Sequence, residues 1–326
     1  MSSISRRALL LTLAIGGCAL RLAPPGPPTG PPREADGAFV MPDGMRLPYR
    51  TWMPDGPPWA VMLALHGMND SRDAWEIPAP DFTAAGIAVI APDQRGFGGT
   101  TVRGFWPGTR ALVDDARVMT RLLRAHYVGR PLFLAGESMG AAVLMCLATS
   151  ADPPPDSRYV LVAPAVWGRS DMSLFERNAL WVMVSLLPGF TVTGQATRVW
   201  ASDNMAALRR LSRDPLTIHE TRFDAINGLV DLMDAAALAA PRFNAPALFA
   251  YGGKDQLVPP RAMARVWRKL APGPVRAFYP NGYHLLLRDL ERAAPIGDII
   301  SWLLDPAVPL PSGAEAAAAA WLAKQR

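Results

Sequence analysis

Short apolar runs alternate with longer amphipathic stretches along most of this chain, from about residue 38 to residue 304. Such runs, bounded by turn residues, are typical of strands buried on both faces, and the amphipathic stretches are typical of helices. Eight strands are predicted, at Ala38–Met41, Leu47–Met53, Ala60–Leu65, Ile87–Ala91, Leu132–Ala135, Tyr159–Ala163, Ala247–Tyr251 and Val275–Tyr279. Helices are predicted at Asp81–Ala85, Thr109–His126, Met139–Thr149, Pro260–Leu270 and Leu290–Leu304. The first strands follow one another without helices, so we expect them to pair antiparallel and the rest to form a parallel sheet.

A long interval, Trp167 to Pro241, separates the sixth predicted strand from the seventh and is too long for a simple loop. It includes the apolar helical stretch Leu180–Leu187, so we expect a helical insertion there. An Ala-rich segment near the C-terminus predicts a peripheral helix. The predicted organisation is an α/β core (37–165 and 242–308), a helical insertion (166–241) and a tail helix (309–326).

The N-terminal residues resemble an export signal. Arg6 and Arg7 precede an apolar run of about ten residues, too short to span a bilayer. The run ends in Gly16-Gly17-Cys18, which resembles a bacterial lipobox, so 1–18 is predicted to be a signal peptide and Cys18 a lipid anchor. We then expect a membrane-anchored lipoprotein of the bacterial cell envelope, facing the periplasm. A soluble secreted protein and an uncleaved anchor remain alternatives, and the route of export, Sec or Tat, stays open. The proline-rich segment 19–36 predicts a semi-rigid linker.

The composition narrows the possible functions. Half of the 326 residues are hydrophobic, enough for a sheet covered on both faces, and the net charge is +5. The basic residues form no run or stripe, so no nucleic-acid partner is expected. Histidines and acidic residues do not fall at metal-ligand spacing, and neither a metal nor an organic cofactor is predicted. The sequence does not indicate the oligomeric state.

The candidate chemistry centres on the segment Gly136-Glu137-Ser138-Met139-Gly140. An apolar strand precedes it and an apolar helix follows it, which is the pattern of a nucleophile elbow. Small residues are needed on both sides because the turn brings the strand and the helix close together. Ser138 is therefore the predicted nucleophile.

The remaining members of a catalytic triad should follow in the order acid, then histidine. Of four histidines, His66 lies upstream of Ser138, His126 ends an amphipathic helix, and His219 lies in a polar run of the insertion. His284 remains, directly after a predicted strand, and is the predicted base. Asp255 lies in the loop after the preceding strand and is the predicted acid that orients the imidazole.

An oxyanion hole is predicted from the loop His66-Gly67-Met68-Asn69, which follows another buried strand. Its donors would be the backbone N–H groups of Met68 and Met139, so the methionine side chains are no objection. His66 is expected to order this loop.

With these motifs the chain resembles the α/β-hydrolases of the monoglyceride lipase and lysophospholipase branch, also described as serine aminopeptidase-like. Phe97 and Thr100 stand where the family usually has histidine and serine. The resemblance implies an α/β-hydrolase fold, a mostly parallel eight-stranded sheet with helices on both faces and an inserted helical cap. It also implies the triad Ser138–Asp255–His284 and ester substrates. The segments that match are His66–Met68, Asp93–Gly98, Gly136–Gly140, Tyr251–Pro259 and Gly282–His284.

We therefore expect a serine ester hydrolase acting on a small-molecule ester or lipid, of monoacylglycerol or lysophospholipid type. In the cap, Trp181, Met183 and Leu187 are expected either to line an acyl tunnel or only to pack the cap onto the core. A serine peptidase or perhydrolase would carry the same triad, and a non-catalytic lipid-binding lipoprotein is the remaining alternative. Epoxide hydrolases and dehalogenases of this fold would carry an aspartate nucleophile. Acyl length and head group are not indicated.

Overall fold

A large twisted sheet forms the centre of the protein in the computed structural model, which describes residues 22–193 and 199–325. Among the described residues, nine strands form this sheet. They are β1 (Arg33–Ala35), β2 (Ala38–Val40), β3 (Arg46–Trp52), β4 (Ala60–Leu65), β5 (Ile87–Pro92), β6 (Leu132–Glu137), β7 (Arg158–Val162), β10 (Ala247–Gly252) and β11 (Val275–Tyr279). Two further strands, β8 (Thr191–Thr193) and β9 (Glu220–Arg222), form a separate antiparallel pair.

The order of the large sheet is β1-β2-β3-β5-β4-β6-β7-β10-β11. The first three strands pair antiparallel, β3 is antiparallel to β5, and all pairs from β5 to β11 are parallel. The predicted change from antiparallel to parallel pairing is thereby confirmed. Strands β4, β5, β6 and β10 are buried throughout, as expected for strands covered on both faces.

The predicted count of eight strands was wrong by one. Strand β1 lies inside 19–36, the segment interpreted as a linker, and pairs with β2. Asp36 and Gly37 connect these strands with φ of 48° and 69°, the left-handed geometry that two-residue Asp-Gly hairpin turns favour.

The proline-rich segment also contacts the core. The N–H of Ala23 donates to the Trp106 carbonyl at 2.9 Å, and that of Thr29 to the Pro42 carbonyl at 2.7 Å. The described part of 19–36 is thus held against the core instead of acting as a free spacer. Cys18 and the predicted signal peptide lie outside the described residues.

Helices cover both faces of the sheet. On one face, α2, α3, α6 and α7 contribute to a single apolar cluster, and on the other, α1 and α8 contribute to a second one. Their bounds, with those of the remaining helices, are α1 (Ala79–Ala84), α2 (Thr109–His126), α3 (Met139–Ala148), α4 (Leu174–Leu186), α5 (Met205–Leu211), α6 (Phe223–Ala239), α7 (Pro260–Lys269), α8 (Ala293–Leu304) and α9 (Ala314–Lys324). Within the described part of the chain, none of these helices combines the length and apolarity needed to cross a membrane.

The tail helix α9 packs on the edge strand β11, with Ala314 and Ala318 as its buried residues. Trp321 stacks on Phe278 with ring centroids 4.9 Å apart, and it contacts the rings of Tyr251 and Trp267. The sequence pattern did not reveal this because alanines dominate α9 and a single tryptophan makes these contacts.

The insertion is divided between the cap and the core. Helix α6 lies within the predicted cap range, but its buried face packs against α3. Helices α4 and α5 and the β8–β9 pair form the rest. Although α6 lies within the range predicted for the cap, it therefore belongs to the helical layer of the core.

Candidate active site

The turn between β6 and α3 places Ser138 in an unusual conformation. Its φ is 52° and its ψ is −111°, a backbone conformation that residues other than glycine rarely adopt. A Cβ on Gly136 would lie 2.5 Å from the Gly140 carbonyl carbon, and one on Gly140 would lie 2.5 Å from the Leu65 carbonyl oxygen. Glycine is therefore needed on both sides of Ser138 for strand, turn and helix to approach this closely.

Asp255 and His284 come together from the loops after β10 and β11. The Nδ1 of His284 donates to Oδ2 of Asp255 at 2.8 Å. The other carboxylate oxygen accepts the N–H groups of Leu257 and Val258, at 2.8 and 2.9 Å. Both side chains are almost fully buried. The carboxylate is thus fixed by the backbone, and it fixes the imidazole so that its second nitrogen is left for chemistry.

Two opposing effects act on the pKa of His284. Burial of the ring lowers the pKa, whereas the negative charge of Asp255 and the hydrogen bond to it raise it. The net result is a pKa above the usual value of 6.5. The ring therefore gains a proton more readily than a free imidazole, as a base that must accept one from a hydroxyl should.

The loop after β4 passes directly beside Ser138. A Cβ on Gly67 would lie 3.4 Å from the Ser138 Cβ. This proximity puts Met68 next to the nucleophile elbow, and Met139 is the first residue of α3, where helix N–H groups have no partner within the helix. Both predicted oxyanion donors thus belong to segments that adjoin Ser138.

His66 holds this loop in place. Its Nδ1 donates to the Gly67 carbonyl at 2.7 Å, and its Nε2 accepts the Gln94 N–H at 3.0 Å. Burial lowers its pKa, so the ring stays neutral and both nitrogens remain in these bonds. The other two histidines, His126 and His219, are exposed.

A cavity of about 580 Å³ contains Ser138 and His284. Most of the rest of its wall is apolar, and it comes from the cap, from α6 and from the loops around the site. The apolar lining includes Trp167, Met172, Leu211, Ile226, Leu229, Val230, Met233 and Leu285.

The cap residues singled out in the sequence are not part of this wall. Trp181, Met183 and Leu187 are absent from the residues that line the cavity, and Trp181 is 70% exposed. Helix α4 has no buried residue at all. Neither expected role, tunnel lining or packing, holds for Trp181, and the apolar lining is supplied mainly by Trp167, Met172 and α6.

Sequence reasoning missed a buried ionic group beside these residues. Arg288 donates from Nη1 to Asp70 Oδ2 and from Nη2 to Glu137 Oε2, each at 2.8 Å. All three line the same cavity. The sequence did contain a signal for this group: Glu137 directly precedes Ser138, and Arg288 follows His284 by four positions. Charged residues are rarely buried unless they are paired, so two of opposite charge in buried segments indicate an ion pair.

The described residues contain no group of three or more His, Cys, Asp or Glu side chains arranged to hold a metal ion. Cys146 lies in α3, and burial raises the pKa of its thiol to about 12. It therefore stays a thiol at neutral pH.

Comparison with known proteins agrees with the geometry. The sequence pattern of the Hydrolase_4 family, described as "Serine aminopeptidase, S33", matches residues 56–291. The chain belongs to this family of α/β-hydrolases. The matched range runs from the strand that leads into the His66 loop to beyond His284 and Arg288.

Several relatives of the chain are lipases by name. A monoacylglycerol lipase of Mycolicibacterium smegmatis is 26% identical over 276 residues, which cover 83% of this chain and 97% of the relative. A human monoglyceride lipase is 27% identical over 265 residues, covering 77% and 84% of the two chains. With family membership, these relatives make the chain a carboxylic ester hydrolase.

Solved structures share the fold. A soluble variant of the Saccharomyces cerevisiae monoglyceride lipase, in complex with a substrate analog, has a TM-score of 0.68 at 17% identity, covering 85% of this chain and 94% of that one. A Paleococcus ferrophilus monoacylglycerol lipase has a TM-score of 0.67 at 21% identity, covering 79% and 98%. The α/β-hydrolase fold expected from the sequence is thereby confirmed.

Proposed function

We propose that this enzyme hydrolyses lipid esters of monoacylglycerol or lysophospholipid type by acyl transfer to Ser138. The observation that carries the proposal is the cavity of about 580 Å³, in which Ser138 and a His284 bonded to Asp255 meet a largely apolar wall. A wall of this kind favours an acyl chain, since each methylene buried contributes about 0.8 kcal/mol. The names of the relatives support the same substrate class.

The chemistry follows from the hydrogen-bond directions. Asp255 accepts the Nδ1–H of His284, so Nε2 is free to take the proton of the Ser138 hydroxyl as Oγ attacks the ester carbonyl. The oxyanion that forms accepts the N–H groups of Met68 and Met139. His284 then returns the proton to the departing alcohol, leaving an acyl ester on Ser138. A water molecule, deprotonated in turn by His284, attacks this ester; the bond between the acyl carbon and Ser138 Oγ breaks, His284 returns the proton to Oγ, and the carboxylic acid is released.

We expect Ser138→Ala to lower ester turnover by about 10⁴-fold or more, because the members of a triad act as a unit. A fluorophosphonate probe, which reacts covalently with activated serines, should label the wild-type protein and leave Ser138→Ala unlabelled. The assay would use p-nitrophenyl esters, monoacylglycerols and a lysophospholipid.

A peptide amide in the same assay distinguishes peptidase activity. Equal turnover of esters by the wild type and by Ser138→Ala would contradict the mechanism. Faster cleavage of the amide than of every ester would contradict the substrate class and leave the nucleophile in place.

A further inference from the structure

The guanidinium of Arg288 lies between two buried carboxylates at the edge of the cavity. Its two terminal nitrogens donate to Asp70 and to Glu137, each at 2.8 Å, and the three side chains are less than 10% exposed. The planar guanidinium fixes both the distance and the relative orientation of the two carboxylates, because each terminal nitrogen donates to a different one.

Each partner belongs to a different segment of the proposed site. Glu137 directly precedes Ser138, Asp70 follows Met68 by two residues, and Arg288 follows His284 by four. A single side chain therefore joins the nucleophile elbow, the oxyanion loop and the histidine loop.

The arrangement is poorly explained by stability alone. Burying one guanidinium and two carboxylates removes three charged groups from water. Buried ionic groups of this kind often contribute no more to stability than apolar residues of similar volume would. Within the described part of the chain, Glu137 Oε1 and Arg288 Nε are buried without a hydrogen-bond partner. Burial also raises the pKa of Glu137, despite the nearby guanidinium. Burying this ionic group therefore costs free energy that an apolar contact at the same place would not cost.

We propose that Arg288 is a positioning residue, whose guanidinium holds Ser138, the Met68 loop and His284 at the mutual spacing that acyl transfer requires. This inference rests on the proposed function, since it concerns the same reaction. Misplacement of reacting groups by about 1 Å can lower the rate about 100-fold. Loss of the side chain that joins the three segments should therefore have a measurable effect on kcat.

The test is Arg288→Lys, which keeps the charge and removes the planar guanidinium. A lysine carries its three N–H donors on a single nitrogen, so it cannot reproduce the two separate, coplanar nitrogens with which Arg288 reaches Asp70 and Glu137. We expect kcat, measured per active site titrated with the fluorophosphonate probe, to fall about 10- to 100-fold with little change in KM. Glu137→Gln, which keeps the shape of the side chain, should reproduce part of this loss. The double variant should lose no more than the worse single variant, because both changes break one unit.

Arg95 offers a matched control. It is also buried and also joins two carboxylates, Asp43 at 2.6 Å and Asp115 at 2.7 Å, but it does not line the cavity. Arg95→Lys should lower stability and leave kcat per titrated site at the wild-type value. The same outcome for Arg288→Lys would overturn the proposal.

The pH profile supplies a second readout, which tests whether this charged group lies beside His284, whereas kcat per titrated site tests its positioning role. The charged groups that act on His284 are Asp255 from the loop after β10, Glu137 from the end of β6, and Arg288 from its own loop. Arg288→Gln removes a positive charge and should move the acidic limb of kcat/KM to higher pH, whereas Glu137→Gln should move it to lower pH. Unmoved limbs in both variants would contradict the placement of this group beside His284.

Failure of the proposed function gives a different result. If Ser138 is not the nucleophile, the probe titrates no site in the wild type, and Ser138→Ala retains activity. If only the role of Arg288 is wrong, the wild type titrates fully and Arg288→Lys turns over at the wild-type rate per site.

Discussion

The backbone at Ser138 is held in a strained conformation by the segments packed closely around it. Gly136 and Gly140 let β6 and α3 approach to within contact of each other and of the His66 loop. Asp255 is held by two backbone N–H groups before it meets His284. At the scale of single residues, the site consists of groups whose positions are determined by backbone contacts, and this leads to two predictions.

We expect Gly140→Ala to lower the free energy of unfolding by about 1–3 kcal/mol, since its Cβ would lie 2.5 Å from the Leu65 carbonyl oxygen. It should also reduce ester turnover, because the elbow must shift. Gly297→Ala is the matched control, with no atom within 4 Å of its Cβ. It lies inside α8 and should raise stability by about 0.5–1 kcal/mol. Thermal unfolding of both variants checks the pair, and a Gly140→Ala protein as stable as Gly297→Ala would contradict the packing argument.

The second prediction concerns pH. The pKa of His284 is raised above 6.5, and only the neutral ring can accept the serine proton. Activity should therefore fall as the pH decreases through that raised pKa, with the acidic limb of kcat/KM above pH 6.5. Asp255→Asn removes the main group that raises the pKa, so the limb should move to lower pH while kcat falls about 10³- to 10⁴-fold. A limb at the same pH in wild type and Asp255→Asn would show that another group titrates.

At the scale of elements, α6 lines the cavity, which was one of the two roles expected for the stretch that forms α4. Helix α4 leaves Phe175 and Trp181 exposed by 82% and 70%, whereas α6 contributes Leu229 and Met233 to the cavity wall. Both helices are apolar in sequence, so composition did not distinguish a surface helix from one that lines a site.

This assignment predicts where chain-length preference arises. Esters with medium or long acyl chains should exceed acetate esters in kcat/KM, each added methylene contributing about 1–3 kcal/mol at most until the cavity is full. Leu229→Trp fills part of the cavity, so it should reduce kcat/KM for long esters and spare acetate. Trp181→Ser is the control, because Trp181 lies outside the cavity wall, and it should leave the series with soluble esters unchanged. A flat series in the wild type would contradict an acyl-binding cavity.

At the scale of the whole molecule, the parallel sheet assembles the site. The His66 loop, Ser138, Asp255 and His284 each follow a different parallel strand, and the carboxyl ends of parallel strands meet at one edge of a sheet. The N-terminal segment adds an antiparallel hairpin at the far end of the same sheet.

Location is predicted at this scale as well. We propose that the mature chain begins at a lipidated Cys18 and fractionates with membranes, anchored by the several acyl chains that stable attachment needs. Cys18→Ser should release the enzyme or stop its processing. Cys146→Ser is the matched control, since Cys146 lies in a core helix, and it should fractionate like the wild type. The intact mass of the mature N-terminus is the measurement, and an unmodified first residue other than Cys18 would indicate an ordinary secreted enzyme.

A fragment beginning at Leu22 should be soluble, whereas one beginning at Phe39 would lose β1.

Local pattern was enough for much of the fold and for the choice of candidate residues. Apolar runs identified eight strands, the absence of helices between the first ones predicted antiparallel pairing, and the glycines around Ser138 predicted the elbow. These features depend on neighbours in sequence, such as a turn that only glycine fits or a strand that only an apolar run can fill. The short strand β1 escaped notice because prolines precede it, although Asp36-Gly37 is a hairpin signal.

What the sequence determined by itself is therefore the order of elements and the identity of the candidate catalytic groups, because backbone sterics and hydrophobic periodicity act within a few residues. Only the tertiary structure decided which helix lines the cavity, that Trp321 completes an aromatic cluster, and that Arg288 joins Asp70 to Glu137. These contacts connect positions up to 218 residues apart, as for Arg288 and Asp70. Their partners are selected by packing and by the need to pair buried charge, and neither is visible in the local pattern of a single chain.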